Sequence, residues 1–127
     1  MAKSGPKILA IDDTPANLQT LMAVLASDFD LRVAHSGEMG LKVAEREPPD
    51  LILLDVMMPG IDGPTTLLRL RADPATAGIP VIFLTAKVQP SEVLQYQSMG
   101  ALDVIAKPFD PMGLAAEVKK IWGRNHA

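Results

Sequence analysis

Five short apolar runs recur along the chain, each containing a β-branched residue and each followed by a stretch with helical character. They are Ile8–Ile11, Leu31–Ala34, Leu51–Leu54, Val81–Leu84 and Val104–Ala106. Four are apolar throughout, as required of strands buried on both faces of a parallel sheet. The second carries Arg32 and is expected at a sheet edge. A regular βα alternation closes in few ways, and the simplest is one parallel sheet with helices on both faces.

The intervening stretches carry helix punctuation. Pro15 follows Asp13 and Thr14, either of which can cap a helix to about Ser27 with Leu18, Leu21, Met22 and Leu25 on one face. Glu38 to Glu47 turns Leu41 and Ala44 inward and stops before Pro48 and Pro49. Pro64 opens a third helix with Leu67, Leu68 and Leu70 that ends near Asp73 and Pro74. Pro90 opens a fourth that Gly100 closes, and Asp110-Pro111 opens a fifth reaching about Trp122. Proline in the first turn and glycine just past the end is the asymmetry that helices favour. Five strands of about 5 residues and five helices of about 11 leave connections near the usual 4–6.

Composition narrows the functional classes. A chain of 127 residues with 48% hydrophobic and 21% charged residues is one globular domain, neither two domains nor a disordered segment. It has no cysteine, which excludes disulfides, thiolate metal sites and a cysteine nucleophile. The net charge is −3, with acids and bases interspersed, so neither direct nucleic-acid binding nor an anionic membrane is expected. The charge-free stretch from Pro74 to Ala86 is too short to span a bilayer, and the N-terminus lacks a signal-peptide core. A cytoplasmic location is the expectation.

Ligands of such sheets bind outside the carboxyl ends of the strands, where strand order reverses. Asp12 and Asp13 follow the first run, Asp55 the third, Thr85 and Ala86 the fourth, and Lys107 and Pro108 the fifth. Two carboxylates about 5 Å apart repel by roughly 3 kcal/mol at an effective dielectric near 20. Such a group therefore takes up a proton or a hard divalent cation. Magnesium binds through one or two carboxylates, keeps waters and is commonly completed by phosphate oxygens. Acids with one lysine and one threonine thus suggest a Mg²⁺-dependent phosphoryl site in which a carboxylate itself accepts the group.

Each residue also has a plainer reading. Asp12 and Asp13 can be helix caps, Asp55 a turn residue, and Met57 and Met58 loop packing. Thr85 can be an ordinary strand end and Lys107 a solvated charge, while Gly60 and Gly63 shape the turn after Asp55. His35 and His126 read as surface residues. What favours a site is that all the polar candidates fall at strand carboxyl ends in one layout.

The segments ILAIDDTPAN, LILLDVMMPGIDG, PVIFLTA and IAKPFDP occur in the order and spacing of one family. From about Lys7 to Trp122 the chain resembles the receiver domain of two-component response regulators, in its single-domain, chemotaxis-regulator-like form. The resemblance implies a doubly wound five-stranded parallel sheet, flavodoxin-like (βα)5, with strand order 2-1-3-4-5. It implies that Asp55 accepts a phosphoryl group from a phosphohistidine on a sensor histidine kinase or histidine phosphotransfer protein. Asp12, Asp13, Asp55 and the backbone carbonyl of Met57 correspond to the Mg²⁺ (or Mn²⁺) ligands. Thr85 corresponds to the switch hydroxyl, Ala86 to the small residue beside it, and Lys107 to the lysine that pairs with phosphoryl oxygens. Pro108 would follow a cis peptide bond. Val104 departs from the family, which often has Tyr or Phe three residues before the lysine. Met57 and Lys87 occupy positions that tune phosphoryl lifetime in the family.

Three other readings compete. An aspartyl-phosphate phosphohydrolase usually needs a second aspartate two residues after its nucleophile, where this chain has Met57. A flavin binder of this topology uses an acid-free loop after the first strand, where this chain has Asp12 and Asp13. A phosphorylation-independent interaction domain would fit Val104 but not the full acid, threonine and lysine set. A pattern ending near Trp122 leaves five residues, too few for a separate output domain. For a complete chain the expected output is therefore a contact between the receiver and a downstream protein partner.

Overall fold

All five apolar runs form parallel strands in a computed structural model that describes residues 5–86 and 88–126, the side chains of 125 and 126 excepted. The strands are β1 (Lys7–Ile11), β2 (Asp30–Ala34), β3 (Leu51–Asp55), β4 (Val81–Thr85) and β5 (Asp103–Ala106). The helices are α1 (Pro15–Leu25), α2 (Gly37–Arg46), α3 (Gly63–Ala72), α4 (Pro90–Ser98) and α5 (Leu114–His126). The sheet order is β2-β1-β3-β4-β5, which places the Arg32 strand at an edge. Strand order reverses between β1 and β3, so their carboxyl ends open the crevice where this architecture binds ligands. The register pairs Ile11 with Leu54, Asp55 with Leu84 and Thr85 with Ala106, which brings the strand ends to one rim.

Side-chain alternation along the strands divides the interior into two layers. Leu9, Ile11, Ile52, Leu54, Val81, Phe83 and Val104 pack with Ala44 of α2, Leu67 and Leu70 of α3 and the half-buried Tyr96 of α4. Ile8, Ala10, Leu51, Leu53, Ile82, Leu84 and Ile105 pack with Leu18, Leu21 and Leu25 of α1 and Leu114, Val118 and Ile121 of α5. Each fully buried leucine or isoleucine contributes about 1.5–3 kcal/mol, so the central strands supply most of the folding drive.

Two apolar helix residues lie outside this packing, Met22 against the expectation that it shares the inward face of the first helix. Met22 is 48% and Leu68 65% exposed. Met22 lies at the margin of the Leu18–Leu21–Leu25 stripe, and Leu68 lies roughly 130° from the centre of the Leu67–Leu70 pair at 100° per residue. Helix starts differ in detail too. Thr14 is the N-cap of α1 without a side-chain capping bond, and its own amide donates to the Asp12 carboxylate. Ser36 caps α2 through the amide of Met39, one residue earlier than the apolar pattern suggests. Asp110-Pro111 forms a turn before α5, with the Asp110 carboxylate accepting from Met112 N and its carbonyl from Gly113 and Leu114. The helix itself therefore begins at Leu114 and continues past Trp122 to His126. His35 is exposed as expected, whereas Lys87 and the His126 side chain lie outside the described residues.

Arg71, at the end of α3, ties three segments together. Its guanidinium donates to the carbonyl of Ile79 before β4 (2.7 Å) and to that of Gly100 after α4 (3.1 Å). Gly100 has φ +109°, the left-handed conformation that a helix-ending glycine supplies. Burial pulls the Arg71 guanidinium down from its ordinary value, yet it stays a cation and its planar fork spans both acceptors. Arg71→Ala is expected to destabilise the fold by about 1–3 kcal/mol, with Arg71→Lys recovering only part of the loss. Urea unfolding of the two variants measures both effects.

Candidate functional site

Asp12 stands just beyond β1 and is fully buried. A buried carboxylate needs donors, and Asp12 has them on both oxygens. Oδ1 accepts from the Thr14 amide at 2.9 Å, and Oδ2 accepts from Asn17 Nδ2 at 3.2 Å and pairs with Lys107 Nζ at 3.0 Å. Asp55 ends β3 and is also buried. Its Oδ1 accepts from Lys107 Nζ at 2.8 Å and, at 3.4 Å, from the Met57 amide. Asp13 is the more open third carboxylate, and one oxygen from each of the three lies within 4.8 Å of the others.

Lys107 follows β5 and reaches across β4 to lie between Asp12 and Asp55. Its backbone amide donates to the Thr85 carbonyl at 2.9 Å, which links the lysine to the end of β4. The Lys107–Pro108 peptide is cis. Thr85 is buried at the same rim, Ala86 beyond it is exposed, and the Met57 side chain points outward, 72% exposed. Val104 is buried in register with Phe83, whose ring meets Tyr96 of α4 edge-on at 5.2 Å between centroids.

Glycine makes the site's backbone possible. Gly60 has φ +77° in the turn after β3. Gly63 opens α3 so close to the strand end that a β-carbon there would lie 2.5 Å from the Asp55 carbonyl oxygen. Its amide donates to Val56 O at 2.9 Å, closing the loop that presents Asp55.

The electrostatics follow from three acids around one base. Burial pushes the Asp55 carboxyl from 3.8 up to about 6, assisted by Asp12 and opposed by Lys107. Burial pulls the Lys107 ammonium down, but hydrogen bonds to Asp55 and Asp12 and the charges of both outweigh it, so the ammonium is held up. Among the described residues, with all groups ionised, the three carboxylates and the Lys107 ammonium leave an excess of two negative charges. A hard, oxygen-seeking divalent cation fits that donor set. An asparagine in the first turn of α1 reads in sequence as an ordinary surface or capping residue, so Asn17 was not among the expected site residues. Its position five residues after Asp12 is the signal that points to it.

Known proteins carry the same pattern. The family described as the response regulator receiver domain matches residues 8–119. The response regulator PleD of Caulobacter vibrioides is 40% identical over 116 residues, which cover 91% of this chain and 26% of PleD. The DNA-binding dual master transcriptional regulator RpaA of Synechocystis is 41% identical over 121 residues, 94% of this chain and 50% of RpaA. The chain thus spans between a quarter and a half of these curated relatives' length. In structure, chemotaxis response regulator CheY4 of Vibrio cholerae superposes with a TM-score of 0.86 at 25% identity, covering 93% of this chain and 99% of CheY4. With the β2-β1-β3-β4-β5 sheet and the acid cluster at its switch point, these matches settle kinship: the chain belongs to the receiver-domain family of two-component response regulators.

Proposed function

We propose that Asp55 is the phosphoacceptor of this receiver and that Lys107, Asp12, Asp13 and Thr85 serve the transfer. The observation that carries this reading is the Lys107 ammonium held 2.8 Å from Asp55 and 3.0 Å from Asp12, beside a cluster of three carboxylates. The Asp55 carboxylate forms an O–P bond as the N–P bond of a phosphohistidine breaks, and the imidazole leaves with a proton. Lys107 offers its charge to the phosphoryl oxygens, and the Thr85 hydroxyl and the space at Ala86 lie at the same rim. The protein thereby promotes its own modification and needs no separate substrate turnover. A Mg²⁺ ion held by Asp12, Asp13, Asp55 and the Met57 carbonyl would neutralise charge between carboxylates and phosphoryl oxygens.

The donor in this reading is a sensor histidine kinase or histidine phosphotransfer protein, in the cytoplasm, and the output is a contact with a downstream protein. Among the described residues, no helix is long and apolar enough to cross a membrane. The receiver occupies the chain as one unit with its core at about residues 7–122. Acetyl phosphate with Mg²⁺ is expected to add one phosphoryl group, seen by mass spectrometry, and EDTA to prevent it. An unchanged mass, or a gain that survives Asp55→Ala, sinks the proposal.

Cation binding is also expected to depend on pH. Because Asp55 holds a proton below about 6, a cation there must displace it. Affinity for Mg²⁺ should be level above that pH and fall by up to about tenfold per unit below it. Calorimetric titrations on either side of pH 6 provide the check.

A further inference from the structure

Asp12 is the one carboxylate of the cluster with no solvent exposure, so losing a protein donor is costly for it. Its Oδ2 is shared by Lys107 Nζ and Asn17 Nδ2. The same ammonium is bonded to Asp55 Oδ1 at 2.8 Å. If Lys107 turns toward a group arriving on Asp55, as the reading above requires, its bond to Asp12 weakens. The donor then left on Oδ2 among the described residues is the Asn17 amide. Asn17 is well placed for this duty. It lies in the first turn of α1, its backbone amide is bonded to Thr14 O at 3.0 Å, and Thr14 N holds the other Asp12 oxygen. Asparagine is uncharged, so it satisfies Asp12 without competing with Lys107 for a charge partner.

We propose that Asn17 is a positioning residue: its side-chain amide keeps the buried Asp12 carboxylate bonded and so releases Lys107 to act at Asp55. The proposal rests on the Asp55 reading and adds a role for a residue that touches no reacting atom. Without the amide, Asp12 has only the Thr14 amide and the ammonium as donors beside any cation it shares with Asp13 and Asp55, so it draws more strongly on the ammonium and the lysine is slower to leave.

The experiment follows phosphoryl uptake from acetyl phosphate with Mg²⁺ by mass spectrometry, over a range of donor concentrations, in four variants beside the wild type. Asn17→Leu, similar in volume but without a donor, is expected to lower the maximum rate about tenfold, the worth of one hydrogen bond to a charged group, with the donor concentration at half-maximal rate unchanged. Asn17→Gln, which retains the amide, is expected to recover at least half of the lost rate. In a Lys107→Met background, itself slow, adding Asn17→Leu is expected to change the rate less than twofold, because the effect runs through the lysine. A thermal melt confirms that each variant is folded. A wild type that takes up no phosphoryl group overturns the Asp55 reading and this inference with it. A modified wild type with Asn17→Leu within twofold of it overturns the inference alone. So does a tenfold effect that persists without Lys107.

Discussion

Asp55→Asn is expected to abolish phosphoryl uptake and at the same time to make the protein more stable. The first result follows because a carboxamide cannot form the acyl phosphate. The second follows from proton linkage. Asp55 is only 4% exposed, and its pKa is raised from 3.8 to about 6, chiefly by burial. The folded state therefore binds this proton more tightly than the unfolded state, and ionising the group costs stability that is fully lost above about pH 6. A shift of about two units corresponds to at most roughly 3 kcal/mol, and about 1–2 kcal/mol is expected once an amide replaces the carboxylate beside Lys107. The variant's advantage should be complete at neutral pH and shrink as pH falls through 6 toward 4. Urea unfolding at several pH values measures it, without metal in the buffer. A variant less stable than wild type at pH 7 contradicts the burial argument. Equal partner affinity for wild type and Asp55→Asn would instead favour an interaction domain that ignores phosphorylation.

Gly63→Ala is expected to damage both fold and site. The added carbon would sit 2.5 Å from Asp55 O and 2.8 Å from Val56 Cα, both backbone atoms that cannot rotate away. Helix α3 must then withdraw from the end of β3. Overpacking of this kind costs about 1–3 kcal/mol, and here the strain falls on Asp55, the proposed acceptor. Lower stability in urea and slower uptake from acetyl phosphate should appear together. Gly123→Ala is the matched control, because nothing lies within 4 Å of the β-carbon it would add in α5. There the change should be neutral to stabilising, by up to about 1 kcal/mol, with uptake unaffected. Equal effects at the two glycines would show that close approach at Gly63 is not what matters.

Much of the architecture is legible because parallel strands buried on both faces leave unbroken apolar runs. Ile52–Leu54 and Val81–Leu84 need no periodicity to be recognised, since every side chain there is buried. Polar residues at strand ends, such as Asp30, Thr85 and Asp103, extend the ladders beyond what hydrophobicity reports. Prolines marked the starts of α1, α3 and α4 because a fixed φ suits the first turn of a helix. The same reasoning placed the start of α5 too early, because Asp110 accepts amides in a turn before the helix forms. Met22 and Leu68 show the limit of counting apolar residues: a helix buries a stripe whose width is set by its neighbours. In the site, the acids and lysine are readable since the topology fixes where strands end. The bond from Asn17 to Asp12 is not, because it depends on how a loop and the first turn of a helix fold back together.

The alternation that makes two core layers also sends Asp55 and Thr85 to different faces of the sheet. Asp55 shares its strand parity with Leu51 and Leu53, which face α1 and α5. Thr85 shares its parity with Val81 and Phe83, which face α2, α3 and α4. The two side chains thus stem from opposite sides of one sheet. On the proposed reading, a response at Thr85 to phosphoryl transfer at Asp55 crosses from one core layer to the other at the carboxyl ends of the strands.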